Sequence, residues 1–289
     1  MITVERLNNN NFSEFNNLIR ESKRKTQYSM DFYKFYDNKT FIYKYIIRKM
    51  VHLIKVDRNF VGYIWVESPS YQSTRLSDIF IKDEYMNYFS SSLPLMLKST
   101  VVTYECFEDS YTLSLLHKLN MSRIRLTYLM KLSSFTKENS SFHEDIAFHI
   151  YDHKKDAKTR CYLQNSIFMD NNRVPLTVED IRYDEKQDYY LKDLSLFIYK
   201  GVNPIGYGQI IYSRGIYLIV NFGILEGYRG RGYGADLINK LISLAKSKGI
   251  MDIYIRVDFN NNPAIALYRN VGFKDVGNFS TWVWSKNLM

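Results

Sequence analysis

The chain has 289 residues, 46% of them hydrophobic, and a formal net charge of +9. That length suits two ordinary domains, and the apolar content excludes a disordered chain. The positive excess is spread, +4 over residues 1–145 and +5 over the rest, with no basic tail or pole, so nucleic-acid binding is not expected. Apolar runs reach about ten residues, too short to cross a bilayer. Met1-Ile-Thr-Val-Glu-Arg6 lacks the charged-then-apolar plan of a signal peptide. Cys106 and Cys161 have no metal or redox spacing. Together these features predict a cytoplasmic protein with no membrane association and no metal.

In chain order, Ile2–Arg6 reads as a short strand. A helix with Phe12, Phe15, Leu18 and Ile19 on one face follows, and Arg20-Glu-Ser-Lys-Arg-Lys25 is its solvated end. A second helical stretch, about 38–49, carries Phe41, Ile42, Tyr45 and Ile46. Two alternating runs, Val51–Val56 and Phe60–Val66, are split by the turn signal Asp57-Arg-Asn59. Then come a strand at Leu76–Ile81, a helix around Leu93–Leu97, a strand at Val101–Cys106, a helix at Ser110–Leu119 and a strand at Ile124–Leu132. Ser133–Ser141 is polar and aperiodic and marks a domain boundary. The second half opens with strand Ile146–Tyr151 and helical segments near 154–170 and 177–183. Leu163, Ile167 and Phe168 share the first segment's apolar face. Leu194–Tyr199 and Pro204–Tyr212 form a hairpin about Lys200-Gly-Val-Asn203.

Residues 216–234 organise the rest. An apolar run from Ile216 ends in the glycine cluster Arg229-Gly-Arg-Gly-Tyr-Gly234. An amphipathic helix follows, with Leu237, Ile238, Leu241, Ile242, Leu244 and Ala245 on its apolar face. Strand, tight loop and helix are the predicted elements. Glycines at 230, 232 and 234 leave backbone N–H groups unshielded. At a helix N-terminus those groups and the helix dipole form an anion site suited to phosphate or pyrophosphate. No Gly-Lys-Ser/Thr follows, so this is not a P-loop, and the G-x-G-x-G spacing is a poor dinucleotide fingerprint.

Arg229-x-x-Gly232-x-Gly234 resembles the acyl-CoA pyrophosphate loop of the GNAT family (GCN5-related N-acetyltransferases). Asn261-Asn-Pro-Ala264-Ile-Ala-Leu267-Tyr268-Arg-Asn-Val-Gly272-Phe273 resembles that family's second signature, N-x-x-A-x-x-L-Y-x-x-x-G-F. One helix and one strand, Ile250–Val257, separate them as in the family. The resemblance covers residues 195–289 well and 146–194 only in element order. It implies an α/β fold with a mixed sheet, of α+β character.

The first half repeats the element order. Asp78-Ile-Phe-Ile-Lys-Asp-Glu-Tyr85 sits like Asn221-Phe-Gly-Ile-Leu-Glu-Gly-Tyr228. Tyr111–Met121 sits like Pro263–Phe273. The expected architecture is two tandem GNAT-like acyl-CoA N-acyltransferase domains: 1–133, degenerate, and 146–289, binding acetyl-CoA. After Tyr85 the first copy has neither arginine nor glycine, and Pro94 removes an N–H. Leu116 and Asn120 stand where Tyr268 and Gly272 do.

By resemblance, Phe222, Gly223 and Ile224 line a gap between splayed strands with their backbone, at a bulge. A glycine within a strand is by itself consistent with a bulge or a close approach. Arg229, Gly230, Arg231, Gly232, Tyr233 and Gly234 would cradle the pyrophosphate, Arg231 and Tyr233 mainly through backbone N–H groups. Asn261, Ala264 and Tyr268 complete the cofactor set; Asn261 also reads as a plain turn residue. Tyr268 matches the family's general acid, which protonates the departing thiolate; a core tyrosine on an amphipathic helix is the other reading. Asp258 is the first candidate base and Glu226 the second, with an ordered water as the alternative. All five histidines, between 52 and 153, read as structural.

The implied function is acetyl-CoA-dependent N-acetylation of a small-molecule or peptide amine by direct attack on the thioester. The alternatives are a non-catalytic acyl-CoA-binding or sensing module and a transferase of a longer acyl group. The acceptor amine, and whether the protein is a monomer or a homodimer, stay open.

Overall fold

A computed structural model describes residues 2–26, 31–37, 39–68, 72–89, 97, 99–132, 142–169, 173–213 and 215–286. The helix expected around Leu93–Leu97 and the boundary at Ser133–Ser141 fall largely or wholly outside these residues. The chain divides into two compact units, and both are discontinuous or offset from the repeat boundary. The first comprises Met1–Thr127 with Gly277–Met289; the second is Tyr128–Val276.

In the first unit the strand order is β1 (Ile2–Arg6), β2 (Val51–Val56), β3 (Asn59–Ser68), β4 (Ser73–Ile81), β5 (Val101–Phe107) and β12 (Lys274–Ser285). β2 and β3 form the expected hairpin, and Asp57 at its turn takes φ 55°. β4 and β5 run parallel, paired from Ser73↔Val101 to Leu76↔Tyr104. β12 pairs antiparallel with β5, from Phe279↔Phe107 to Ser285↔Val101. Its Trp282 and Trp284 are buried in this unit's core. Burying a large apolar side chain is worth roughly 1.5–3 kcal/mol, so two of them are ample to hold the C-terminal strand here.

Helix α1 (Phe12–Lys25) buries Phe15, Leu18 and Ile19, the face its 3.6-residue period predicts. Phe15 meets Phe32 edge-on at 4.8 Å, and Phe32 opens a five-residue helix, α2 (Phe32–Tyr36), too short for periodicity to signal. Helix α3 (Phe41–Met50) differs from its pattern: Phe41, Ile42, Tyr45 and Ile46 are exposed, and Ile47 alone is buried. Helix α4 (Ser110–Lys118) starts at Asp109, whose side chain accepts the Thr112 amide at 2.7 Å.

In the second unit the order is β6 (Ser122–Leu132, from Tyr128 on), β11 (Ile253–Asp258), β10 (Ile216–Ile224), β9 (Asn203–Ser213), β8 (Tyr190–Lys200) and β7 (Ile146–Ile150). Met130 and Leu132 of β6 enter this unit's core. Helix α5 (Ala157–Ile167) packs on β9 and β10, with helix α6 (Val178–Asp184) against it. Helix α7 (Tyr233–Ser247) lies over β8, β9 and β10 and buries Leu237, Ile238, Leu241, Ile242 and Ala245. Helix α8 (Asn262–Val271) precedes β12. Gly272, at φ 107°, ends it, and the Phe273 amide returns to the Tyr268 carbonyl at 3.0 Å.

Candidate functional site

The site begins where β10 and β11 separate. The two strands pair in parallel only at Tyr217↔Ile253, Leu218↔Tyr254 and Ile219↔Ile255. On its other edge β10 pairs with β9, but the register jumps between Val220↔Gln209 and Gly223↔Tyr207. Asn221 and Phe222 therefore stand opposite Gly208 alone. This is a β-bulge, which bends its strand and sharpens the twist. Asn221 takes the left-handed conformation the bulge needs, at φ 52°; asparagine tolerates that region better than most residues.

Gly223 follows the bulge and answers the other demand, close approach. A Cβ there would lie 2.4 Å from Ile167 Cγ2 on α5. Gly206, across on β9, is equally confined: its Cβ would meet Ile224 Cδ1 at 2.5 Å and the Gly223 carbonyl at 2.8 Å. The glycines let α5 and two strands meet at the mouth of the gap.

Beyond Ile224 a short 3-10 turn, Glu226–Tyr228, leads into the glycine loop. Gly230 and Gly232 take φ 73° and 87°, so the loop turns where side chains would strain. Gly232 is the N-cap residue of α7 and has no side chain to occupy the first N–H groups of that 15-residue helix. An anion placed there meets unshielded amides and the positive end of the dipole.

Arg229 engages the backbone around the loop. Its Nε donates to the Ile224 carbonyl at 2.8 Å and its Nη2 to the Ile167 carbonyl at 3.1 Å. The guanidinium thus ties the end of β10, the last turn of α5 and the loop together. Arg231 is exposed. The Tyr233 side chain is buried away from the loop: its hydroxyl accepts from Lys200 Nζ at 2.7 Å and donates to Asp145 at 3.4 Å. Gly234 lies where a Cβ would meet Leu267 Cδ2 at 3.3 Å, so its smallness also lets α7 approach α8.

Asn261 is the N-cap of α8, its Oδ1 accepting the Ala264 amide at 3.2 Å. Tyr268, on the same helix, is buried at 6% exposure, with its ring 6.0 Å from Phe222 and 6.1 Å from Phe273. Phe222 thus connects the bulge to Tyr268. Burial pushes the Tyr268 phenol well above its ordinary pKa, so it keeps its proton at neutral pH. Asp258 ends β11, and its Oδ1 accepts the Asn260 amide at 3.1 Å. Glu226 sits in the 3-10 turn before the loop.

His143 reaches this site, although all five histidines read as structural from their spacing. His143 precedes β7, yet its Nδ1 lies 2.6 Å from Asp236 Oδ2 in the first turn of α7, a contact between residues 93 apart in sequence. No local spacing signals such a pair.

Residues 162–273 match the acetyltransferase (GNAT) family. The chain is 28% identical over 127 residues to an N-alpha-acetyltransferase RimI of Mycobacterium tuberculosis, covering 43% of this chain and 76% of that protein. It is 28% identical over 98 residues to a mycothiol acetyltransferase of Corynebacterium glutamicum, 34% of each chain. The chain therefore spans about a third of the length of those mycothiol acetyltransferases. Among solved structures, a GCN5-related N-acetyltransferase from Sphaerobacter thermophilus superposes with TM-score 0.69 at 14% identity, over 98% of this chain and 95% of that one. A tandem GNAT protein from the clavulanic acid biosynthesis pathway gives TM-score 0.58 at 12% identity, over 81% and 82%. At these identities the likeness is one of fold.

Proposed function

We propose, on the premise that this chain carries an acetyltransferase domain of the GNAT family, that it is an acetyl-CoA-dependent N-acetyltransferase. Its second unit would be the catalytic copy, and its first unit a copy of the same fold without cofactor. The single observation that carries the reading is the parting of β10 from β11 after Ile219, directly before a glycine loop that opens a helix.

The residues present fit acetyl-CoA. Phe222, Gly223 and Ile224 follow the point where β10 parts from β11, and an extended pantetheine arm would enter that gap and pair with backbone groups freed there. Gly230 to Gly234 offer amides to the diphosphate. Acetyl-CoA supplies an acyl group activated as a thioester. With it bound, a substrate amine would attack that carbonyl, its nitrogen forming the new C–N bond as the C–S bond breaks. Tyr268 would give its phenolic proton to the departing sulfur, and the amine's surplus proton would leave to a base or to water. Asp258, held by the Asn260 amide, and Glu226 remain the candidate bases.

A small-molecule amine or a peptide N-terminus is the acceptor class consistent with the named relatives, which include an N-alpha-acetyltransferase and a mycothiol acetyltransferase. The test is calorimetric titration of acetyl-CoA and CoA into wild type and a Gly232→Asp, Gly234→Asp double variant, followed by an amine screen reading CoA release. Saturable binding lost in the double variant supports the reading. Wild type that binds neither ligand overturns it. The second reading, an acyl-CoA-binding module without turnover, is favoured by the engagement of Asp258 in its turn; binding with no CoA release across the screen would select it.

A further inference from the structure

The N-terminus of α7 carries an acid where an anion is to bind. Asp236 lies in the helix's first turn and is 6% exposed. A carboxylate there stabilises the helix by itself but opposes a second anion a few ångströms away. The side chain facing it is His143. The imidazole Nδ1 is 2.6 Å from Asp236 Oδ2, and the ring lies against the loop, since a Cβ on Gly232 would come within 2.7 Å of His143 Cε1. On its other side the ring meets Tyr233, centroids 5.1 Å apart. Tyr233 in turn is bonded to Lys200 and Asp145, which are themselves paired at 2.9 Å. Asp236 is thus the carboxylate that His143 faces directly, and the Lys200–Asp145 pair behind Tyr233 is internally balanced.

We propose that His143 is a positioning residue of the anion site: as the imidazolium it neutralises Asp236 and braces Gly232, so that the loop and helix terminus accept a diphosphate. This rests on the acyl-CoA reading above and adds to it a residue outside both signature motifs. The argument is electrostatic. With His143 charged, the first turn of α7 carries one paired carboxylate and the helix dipole faces the ligand unopposed. With His143 neutral or absent, the Asp236 charge subtracts from the attraction. The pairing also explains why a glycine is needed at 232, because the ring occupies the space a side chain would take.

The test is calorimetric titration of CoA, at constant ionic strength and at pH 6, 7 and 8, into wild type, His143→Gln, Asp236→Asn and the double variant. Thermal melts establish that each is folded. At pH 6 the His143→Gln variant is expected to bind CoA about tenfold more weakly than wild type, an effect of the size helix-terminus charges produce. Any fall in wild-type affinity from pH 6 to pH 8 should be smaller in His143→Gln. The double variant should bind CoA more tightly than His143→Gln, because a side chain lost only from packing would not be rescued by removing a charge. Wild-type affinity in His143→Gln, or a double variant as weak as His143→Gln, overturns the proposal and leaves the acyl-CoA reading standing. Wild type that binds no CoA overturns both.

Discussion

The Tyr111 hydroxyl donates to the Ile81 carbonyl and accepts from the Ile81 amide, both at 2.8 Å. Ile81 ends β4, past the last residue that pairs with β5, Leu76. In the proposed repeat, Ile81 corresponds to Ile224 and Phe80 to Gly223. A tyrosine thus fills in the first unit the kind of gap that would receive a pantetheine arm in the second. Phe80 is buried and stacks on Tyr111 at 5.5 Å, closing the position where the second unit has no side chain.

That plug sets a stoichiometry. CoA should titrate to one site per chain, and a second equivalent site would contradict the proposed division of labour. Tyr111→Phe leaves two buried backbone groups unpaired, so it should cost about 2–3 kcal/mol in denaturant unfolding. The CoA stoichiometry should stay at one.

Tyr268→Phe keeps the ring contacts with Phe222 and Phe273 and removes only the hydroxyl. CoA affinity is expected to change by less than about twofold, while kcat falls by roughly two orders of magnitude, the usual contribution of a positioned acid. Single-turnover CoA release measures this, and an unchanged kcat would remove Tyr268 from the chemistry.

Arg229→Ala should both destabilise the fold and weaken CoA binding, because the guanidinium bridges Ile224 and Ile167. Two part-buried charged hydrogen bonds are lost, at about 1.5–3 kcal/mol each before relaxation. Arg231→Ala, at an exposed position, should leave the melting temperature within about 1 °C and affect binding alone. A stable Arg229→Ala variant with weakened binding would instead make Arg229 a direct ligand contact.

Stability at high pH follows from the buried phenols. Burial raises the pKa of Tyr63, Tyr111, Tyr207 and Tyr268 above the ordinary 10.0. The folded state therefore keeps these protons where the unfolded chain releases them. Their contribution is intact below pH 10 and is lost as pH climbs from 10 toward the folded values. Each such tyrosine removes about 1.4 kcal/mol per pH unit above 10. Urea midpoints should be level from pH 8 to 9.5 and drop steeply by pH 10.5; a level midpoint at 10.5 would refute the assignment.

Much of this protein was legible in its residues. Period-two and period-3.6 patterns located β1, β2, β5 and α1, and the Asp57 and Lys200–Asn203 turns placed both hairpins. The glycine loop and the Leu267-Tyr268 pair marked the candidate site, because backbone conformation and helix capping are local demands. Three things were not local. The period of α3 marks a face but not its side, and Phe41, Ile42, Tyr45 and Ile46 face solvent. The bulge falls at Asn221-Phe222, while Gly223 serves the approach of Ile167. Arg229 looks like an anion ligand in sequence and acts as a brace in the fold.

The sequence by itself determined the elements, their order and the chemistry of the loop, since these depend on dihedral preference, side-chain period and unshielded amides within a few residues. Only the tertiary structure decided which strands close which unit, with Trp282 and Trp284 carried into the first core and Met130 and Leu132 into the second. It also brought His143 to Asp236 and Tyr111 to Ile81. The last two rest on satisfying polar groups between residues 30 and 93 positions apart, and the strand placements on burial, and no pattern along the chain encodes such distances.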